Sequence, residues 1–321
     1  MRTILLDFEP GALPEAQLAQ IRAAAPDMRI LVTRDLDQIE SVLDEIEIVA
    51  GGFPRDLLLR ARHLCWFQQW GAGADWLLRH PEAVELDFVL TNASGVHPIP
   101  ISEHILAFLL TFARGLHRAV RAQERREWIP EDQLEGLFEL AGKTLLLVGV
   151  GAIGERTATV ARALGMRVLG VRRNVAVSVP DVEAMFGPDR LLDLLPESDF
   201  VVLTVPLTHE TQGMIGEREL RAMKPTAYMV NIGRGGTIQE SVLIRALREE
   251  WIAGAGLDVF ESEPLPDDSP LWAMDNVIIT SHYAGITPHY HARATAIFVD
   301  NLRRYQAGEP LRNVVDKTLG Y

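Results

Sequence analysis

The stretch Thr144-Leu145-Leu146-Leu147-Val148-Gly149-Val150-Gly151-Ala152-Ile153-Gly154 runs five residues of strand-like character directly into the spacing Gly-x-Gly-x-x-Gly. Residues 155–164 beyond it carry a helical pattern. Between a strand and a helix, these glycines permit a tight turn and let backbone N–H groups approach a pyrophosphate, which the helix N-terminus also attracts. The spacing alone means little. In this context it predicts a doubly wound α/β unit that holds a dinucleotide through Gly149, Gly151, Ala152, Ile153 and Gly154.

Reading outward, apolar runs at Arg167 to Val171, Asp199 to Val205, Tyr228 to Ile232, Gly254 to Val259 and Val277 to Thr280 complete a sheet of six predicted strands. Upstream, Thr3 to Phe8, Arg29 to Val32, Ile46 to Ala50, Leu64 to Phe67 and Phe88 to Leu90 read as a second series, alternating with helical segments such as Glu15 to Ala24. Alternation of this kind implies right-handed crossovers and parallel sheets covered on both faces. Two prolines in Val96-His97-Pro98-Ile99-Pro100 suggest a hinge, followed by one long helix from Ser102 to Arg125. After Thr287-Pro288, a last helix from His289 to Tyr305 is expected to return to the first series, leaving the second as an insertion.

A chain of 321 residues is long for one core, and two domains are expected. With 48% apolar and 23% charged residues the chain has the composition of a folded protein, and a net charge of -13 opposes a polyanionic partner. Nucleic acid and anionic membrane are therefore excluded as expected partners. The lone cysteine, Cys65, rules out an intrachain disulfide, and its apolar setting predicts a small buried side chain. The N-terminus lacks a signal-peptide core, and Ile105 to Ala113 is too short to span a bilayer, so a cytoplasmic location is expected. No metal is called for.

The strand Arg167 to Val171 ends in Arg172-Arg173-Asn174. An acid at this tip accepts bonds from a free ribose hydroxyl, whereas arginine favours a 2′-phosphate, so Arg172 and Arg173 favour NADP(H), with NAD(H) as the other option. Three later strands end in Asn231-Ile232-Gly233-Arg234-Gly235, Asp258 to Leu265 with Glu263, and Ser281-His282-Tyr283-Ala284-Gly285. Ligands of open α/β sheets bind at that edge. A cation, a carboxylate and an imidazole brought together there suit hydride transfer to a carbonyl, which needs an anchor and a proton donor.

These motifs, with Val205-Pro206-Leu207 and Thr211 between them and Gly71-Ala72-Gly73-Ala74-Asp75 upstream, resemble the D-isomer-specific 2-hydroxyacid dehydrogenase family over nearly the whole chain. The resemblance implies a flavodoxin-like substrate domain of residues 1–97 and 287–321, with a Rossmann dinucleotide-binding domain, 98–286, inserted into it. It implies that Arg234 binds the 2-oxoacid carboxylate and polarises its carbonyl, that His282 is the acid/base, and that Glu263 pairs with His282 and favours its protonated form. Asp258 is expected to support the nicotinamide end, with Val205, Pro206, Thr211, Ile232 and His282 also lining the cofactor. Backbone amides at Gly73 and Ala74 are expected to hold the substrate carboxylate from the opposite domain, with domain closure excluding water. Ser281 and Tyr283 stand where the family often has proline and an aliphatic residue. Trp70 and Phe53 are placed near the same cleft. The resemblance implies an NADP(H)-dependent 2-oxoacid reductase of the glyoxylate/hydroxypyruvate type, forming a homodimer through the helix after Ser102. The alternatives are an NAD-dependent phosphoglycerate dehydrogenase-like enzyme, disfavoured by Arg172 and by the expected lack of a regulatory domain, and a dinucleotide-sensing corepressor-like protein of the same fold.

Overall fold

The computed structural model describes residues 2–133 and 135–321. The chain divides into two compact units, one formed by residues up to Val96 together with Thr287–Tyr321, the other by His97–Ile286.

In the first unit, β1 (Thr3–Asp7), β2 (Arg29–Val32), β3 (Ile46–Gly51), β4 (Trp66–Gln69) and β5 (Val89–Thr91) form a parallel sheet in the order β2-β1-β3-β4-β5. Successive side chains of a strand point to opposite faces. Accordingly Ile4 and Leu6 enter one core cluster with Ile48, Ala50 and Trp66, while Leu5 enters the other with Val49 and Phe67. Both faces are covered, which is why these strands read as unbroken apolar runs. The helix Tyr290–Ala307 does return to this unit, setting Phe298 against Trp66 and Trp70 at centroid distances of 5.2 and 6.0 Å. Phe53 is fully buried, packed edge-on to Phe67.

The second unit holds β6 (Thr144–Val148), β7 (Arg167–Val171), β8 (Ala184–Phe186), β9 (Phe200–Leu203), β10 (Tyr228–Asn231), β11 (Gly254–Leu257) and β12 (Val277–Ile279), all parallel, in the order β12-β11-β10-β9-β6-β7-β8. Strand order reverses at β6, so the loop after β6 opens at the switch point where open sheets bind ligands. Leu146 and Val148 face one core, Leu145 and Leu147 the other, and the second core also takes Ile101, Ile105, Phe108 and Phe112 from the helix Pro98–Ala113.

The structure corrects four expectations. The second sheet has seven strands rather than six, because β8 is a three-residue edge strand that ends at Gly187-Pro188. The long helix is two, Pro98–Ala113 and Leu116–Arg125, parted at Gly115, whose φ of 64° is left-handed. Pro98 opens the first of these helices, where its missing N–H costs nothing. Cys65 is exposed, since it precedes β4 rather than lying in it. Among the described residues, no single helix is long and apolar enough to cross a membrane.

Candidate active site

The turn after β6 is shaped by its glycines. A Cβ on Gly149 would lie 2.8 Å from Val205 Cγ1 and 2.9 Å from the Val205 nitrogen, and one on Gly154 would lie 2.8 Å from the Gly149 carbonyl oxygen. Gly151 caps the helix Ala152–Ala163 and faces open space, so the first amides of that helix are left for a ligand. The cradle therefore fits a dinucleotide pyrophosphate. Pro206 and Thr211 form a closed turn, in which Thr211 Oγ1 donates to the Pro206 carbonyl at 2.6 Å and accepts from the Thr208 amide at 2.8 Å. Ile232 is buried directly after β10.

At the tip of β7 the two arginines differ. Arg173 Nη2 donates to Glu210 Oε2, so its guanidinium is already engaged. Arg172 is partly buried and its Nη1 is buried with no hydrogen-bond partner among the described residues. A buried donor left unmatched is costly, and an incoming anion offsets that cost.

The catalytic candidates follow β10, β11 and β12, which are neighbours in the sheet, and so open on one edge. Arg234 lies in a loop closed by Asn231 Nδ2 and Thr237 Oγ1, which donate to its carbonyl at 3.0 and 2.7 Å, while its Nη1 donates to the Gly233 carbonyl at 2.8 Å. His282 Nδ1 and Glu263 Oε2 are 2.7 Å apart, and Glu263 Oε1 accepts from the Phe260 amide at 3.0 Å. The carboxylate thus takes Nδ1 and leaves Nε2 as the nitrogen free for a reacting group.

His282 adopts a left-handed φ of 54°, uncommon for a side-chain-bearing residue. Asp258 holds it there. Its carbonyl accepts from the His282 amide at 2.8 Å, and its carboxylate accepts from the Tyr283 and Ala284 amides at 3.1 Å each and from Thr280 Oγ1 at 2.6 Å. With only 1% exposure and both carboxylate oxygens hydrogen-bonded, Asp258 shapes the catalytic loop. His104 completes this scaffold, since its Nε2 lies 3.0 Å from Thr280 Oγ1 and its ring is edge-on to Phe108 and Tyr283. Burial lowers its pKa, against an opposing pull from Asp258. The sequence reading missed His104, whose only signal is a histidine on the sheet-facing side of an apolar helix. Tyr283 is exposed.

In the first unit, Gly73 and Ala74 follow β4. The loop is pinned by Asn92 Nδ2 on the Ala72 carbonyl at 2.8 Å and by Gln69 Nε2 on the Gly73 carbonyl. Among the described residues, neither the Gly73 nor the Ala74 amide has an acceptor.

A glycine cradle at the switch point, an imidazole held by a carboxylate and a cation one strand further along define a nucleotide-dependent oxidoreductase of the Rossmann class. Residues 106–284 match the model of the D-isomer specific 2-hydroxyacid dehydrogenase NAD binding domain. A glyoxylate reductase of Korarchaeum cryptofilum is 36% identical over 332 residues, spanning 97% of this chain and 95% of the relative. Among solved structures, a D-isomer specific 2-hydroxyacid dehydrogenase of Xanthobacter autotrophicus in complex with NADPH and MES is 30% identical with a TM-score of 0.86, covering 100% of this chain and 99% of that one. An NADPH-dependent glyoxylate/hydroxypyruvate reductase of Sinorhizobium meliloti, in complex with NADP and sulfate, is 28% identical with a TM-score of 0.86 over 100% of both chains. The chain belongs to the D-isomer specific 2-hydroxyacid dehydrogenase family, and is an NAD(P)-dependent oxidoreductase.

Proposed function

We propose that this enzyme reduces small 2-oxoacids to D-2-hydroxyacids with NADPH. The observation that carries the chemistry is the 2.7 Å pair of His282 Nδ1 and Glu263 Oε2, set one strand away from the Arg234 loop. A nicotinamide dinucleotide held by Gly149, Gly151, Ala152, Ile153, Gly154, Val205, Pro206, Thr211 and Ile232 supplies the hydride. Arg234 anchors the substrate carboxylate and draws electron density towards the carbonyl oxygen, which a planar guanidinium does well. The Gly73 and Ala74 amides give the carboxylate further donors. His282 donates a proton from Nε2 to the carbonyl oxygen, while Glu263 keeps Nδ1 protonated and the ring oriented.

The NADP(H) preference is supported by the unmatched Arg172 Nη1, with Arg173 secondary because of Glu210. Exposed apolar Leu110, Leu116, Val120 and Trp128 support a homodimer built on the helices after Ser102, and we place that dimer in the cytoplasm. The test is steady-state reduction of a panel of 2-oxoacids with NADPH and with NADH, together with sedimentation. Turnover with NADPH on at least one 2-oxoacid is expected. Failure on every 2-oxoacid with both cofactors removes the proposal, and a monomer at micromolar concentration removes the dimer.

A further inference from the structure

Within the second unit, the helix Pro98–Ala113 and the residue before it set two histidines against the His282 loop. His104 reaches both flanks of His282. Its Nε2 lies 3.0 Å from Thr280 Oγ1, and its ring stands edge-on to Tyr283 with centroids 5.5 Å apart. His97 abuts the far end of the loop, where a Cβ on Gly285 would lie 2.7 Å from the imidazole Cδ2. The helix is seated closely on β11, since a Cβ on Gly256 would lie 2.7 Å from the Phe108 ring, and Phe108 packs edge-on to His104 at 4.8 Å. A side chain locked by packing holds its partner in one geometry.

The direction of the hydrogen bonds follows from the donor count. Thr280 has one hydroxyl proton, which goes to Asp258 Oδ1 at 2.6 Å. The Thr280 oxygen is left to accept, so His104 donates to it from Nε2. Asp258 carries the chain onward: Oδ1 also accepts from the Tyr283 amide at 3.1 Å, and Oδ2 accepts from the Ala284 amide at 3.1 Å. Hydrogen bonds linked in this way polarise and strengthen one another. The chain ends on the backbone that follows His282, whose left-handed φ of 54° persists only where its neighbours over-determine it.

We propose that His104 is a positioning residue for the reaction: by donating to Thr280 it fixes the Thr280–Asp258 clamp on the loop, and thereby the aim of His282 Nε2. This rests on the 2-oxoacid reductase reading and adds a residue to its machinery. His104 acts through the clamp and not on the reacting atoms. A misplacement of about 1 Å costs up to about a hundredfold in rate, so loss of the donor should fall on kcat.

The experiment measures kcat and KM with NADPH and the fastest 2-oxoacid of the panel for the parent, His104→Leu, His104→Gln, Thr280→Val and the His104→Leu/Thr280→Val double variant. Leucine fills the site and donates nothing, whereas glutamine keeps an N–H donor. His104→Leu should lower kcat about tenfold or more with KM for NADPH within about twofold, and His104→Gln should regain most of the loss. The double variant should match Thr280→Val alone, since both changes cut one chain. Parental kcat in His104→Leu, a glutamine variant no better than the leucine one, or additive losses overturn the proposal. Should His104→Leu not fold, His104→Met removes the donor with an adaptable side chain and carries the same expectations. Amide hydrogen exchange reads the loop without turnover: over residues 281–286 it should quicken about tenfold in the leucine or methionine variant, with Thr144–Val148 unchanged. Parental exchange at 281–286, or a rise shared by Thr144–Val148, overturns the proposal. Should the parent reduce no 2-oxoacid, the reductase reading fails, and the exchange result alone decides whether His104 positions the loop.

Discussion

Replacing Arg172 with aspartate isolates the cofactor preference. Arg172 Nη1 is buried and unmatched, whereas Arg173 already has Glu210, so the proposed NADP(H) preference predicts that Arg172 carries most of the discrimination. A charge-assisted hydrogen bond to a 2′-phosphate contributes about 1.5–3 kcal/mol. At about 1.4 kcal/mol per decade, that is roughly ten- to hundredfold in affinity. Aspartate removes the bond, repels the phosphate and offers an acceptor to the free ribose hydroxyl. The assay is kcat/KM with NADPH and with NADH at one fixed 2-oxoacid for the parent, Arg172→Asp and the Arg172/Arg173 double variant. The ratio should move towards NADH by one to two orders of magnitude in the single variant, and only slightly further in the double. A parent that already prefers NADH, or an unchanged ratio in the double variant, refutes the assignment.

Glu263→Gln should lower kcat about ten- to hundredfold with cofactor affinity intact, as checked by NADPH titration, because a neutral amide no longer holds Nδ1 of His282 as a charged acceptor does. Burial depresses the pKa of both His104 and His117, so below the ordinary histidine value of 6.5 the unfolded chain takes up protons that the folded one refuses. Their contribution to stability is therefore complete above pH 6.5 and is lost as pH falls through the lowered folded values; Tm should decline over that range, and less so in the His104→Gln/His117→Gln double variant. Phe298→Ala removes a fully buried ring packed on Trp66 and Trp70, and should cost about 3–5 kcal/mol in a denaturant titration.

Much of the fold was legible because parallel strands covered on both faces print as apolar runs: Leu145 and Leu147 serve one core and Leu146 the other, with no polar residue between. The strand Ala184–Phe186 was not, since three half-buried residues at a sheet edge carry no period. Proline chemistry misled at Pro98, which starts a helix instead of breaking one. In the site, Arg234, Glu263 and His282 stand out because a cation, a carboxylate and an imidazole in the loops after three successive strands suit hydride transfer to a carbonyl. Asp258 looked the same in sequence, yet its carboxylate turns inward to cap the His282 loop, a choice fixed by backbone amides that no pattern of side chains reveals. His104 acquires meaning only through Thr280, far along the chain.

The most direct test of the account follows NADPH oxidation by the parent and by His282→Ala with the fastest 2-oxoacid of the panel, alongside a titration of NADPH binding to each protein. The predicted result is turnover in the parent, a loss of about a hundredfold or more in the variant, and equal NADPH affinity, since the glycine cradle lies on a different strand from the proton donor. Near-parental turnover by His282→Ala contradicts the assignment of His282 as the proton donor, and with it the mechanism.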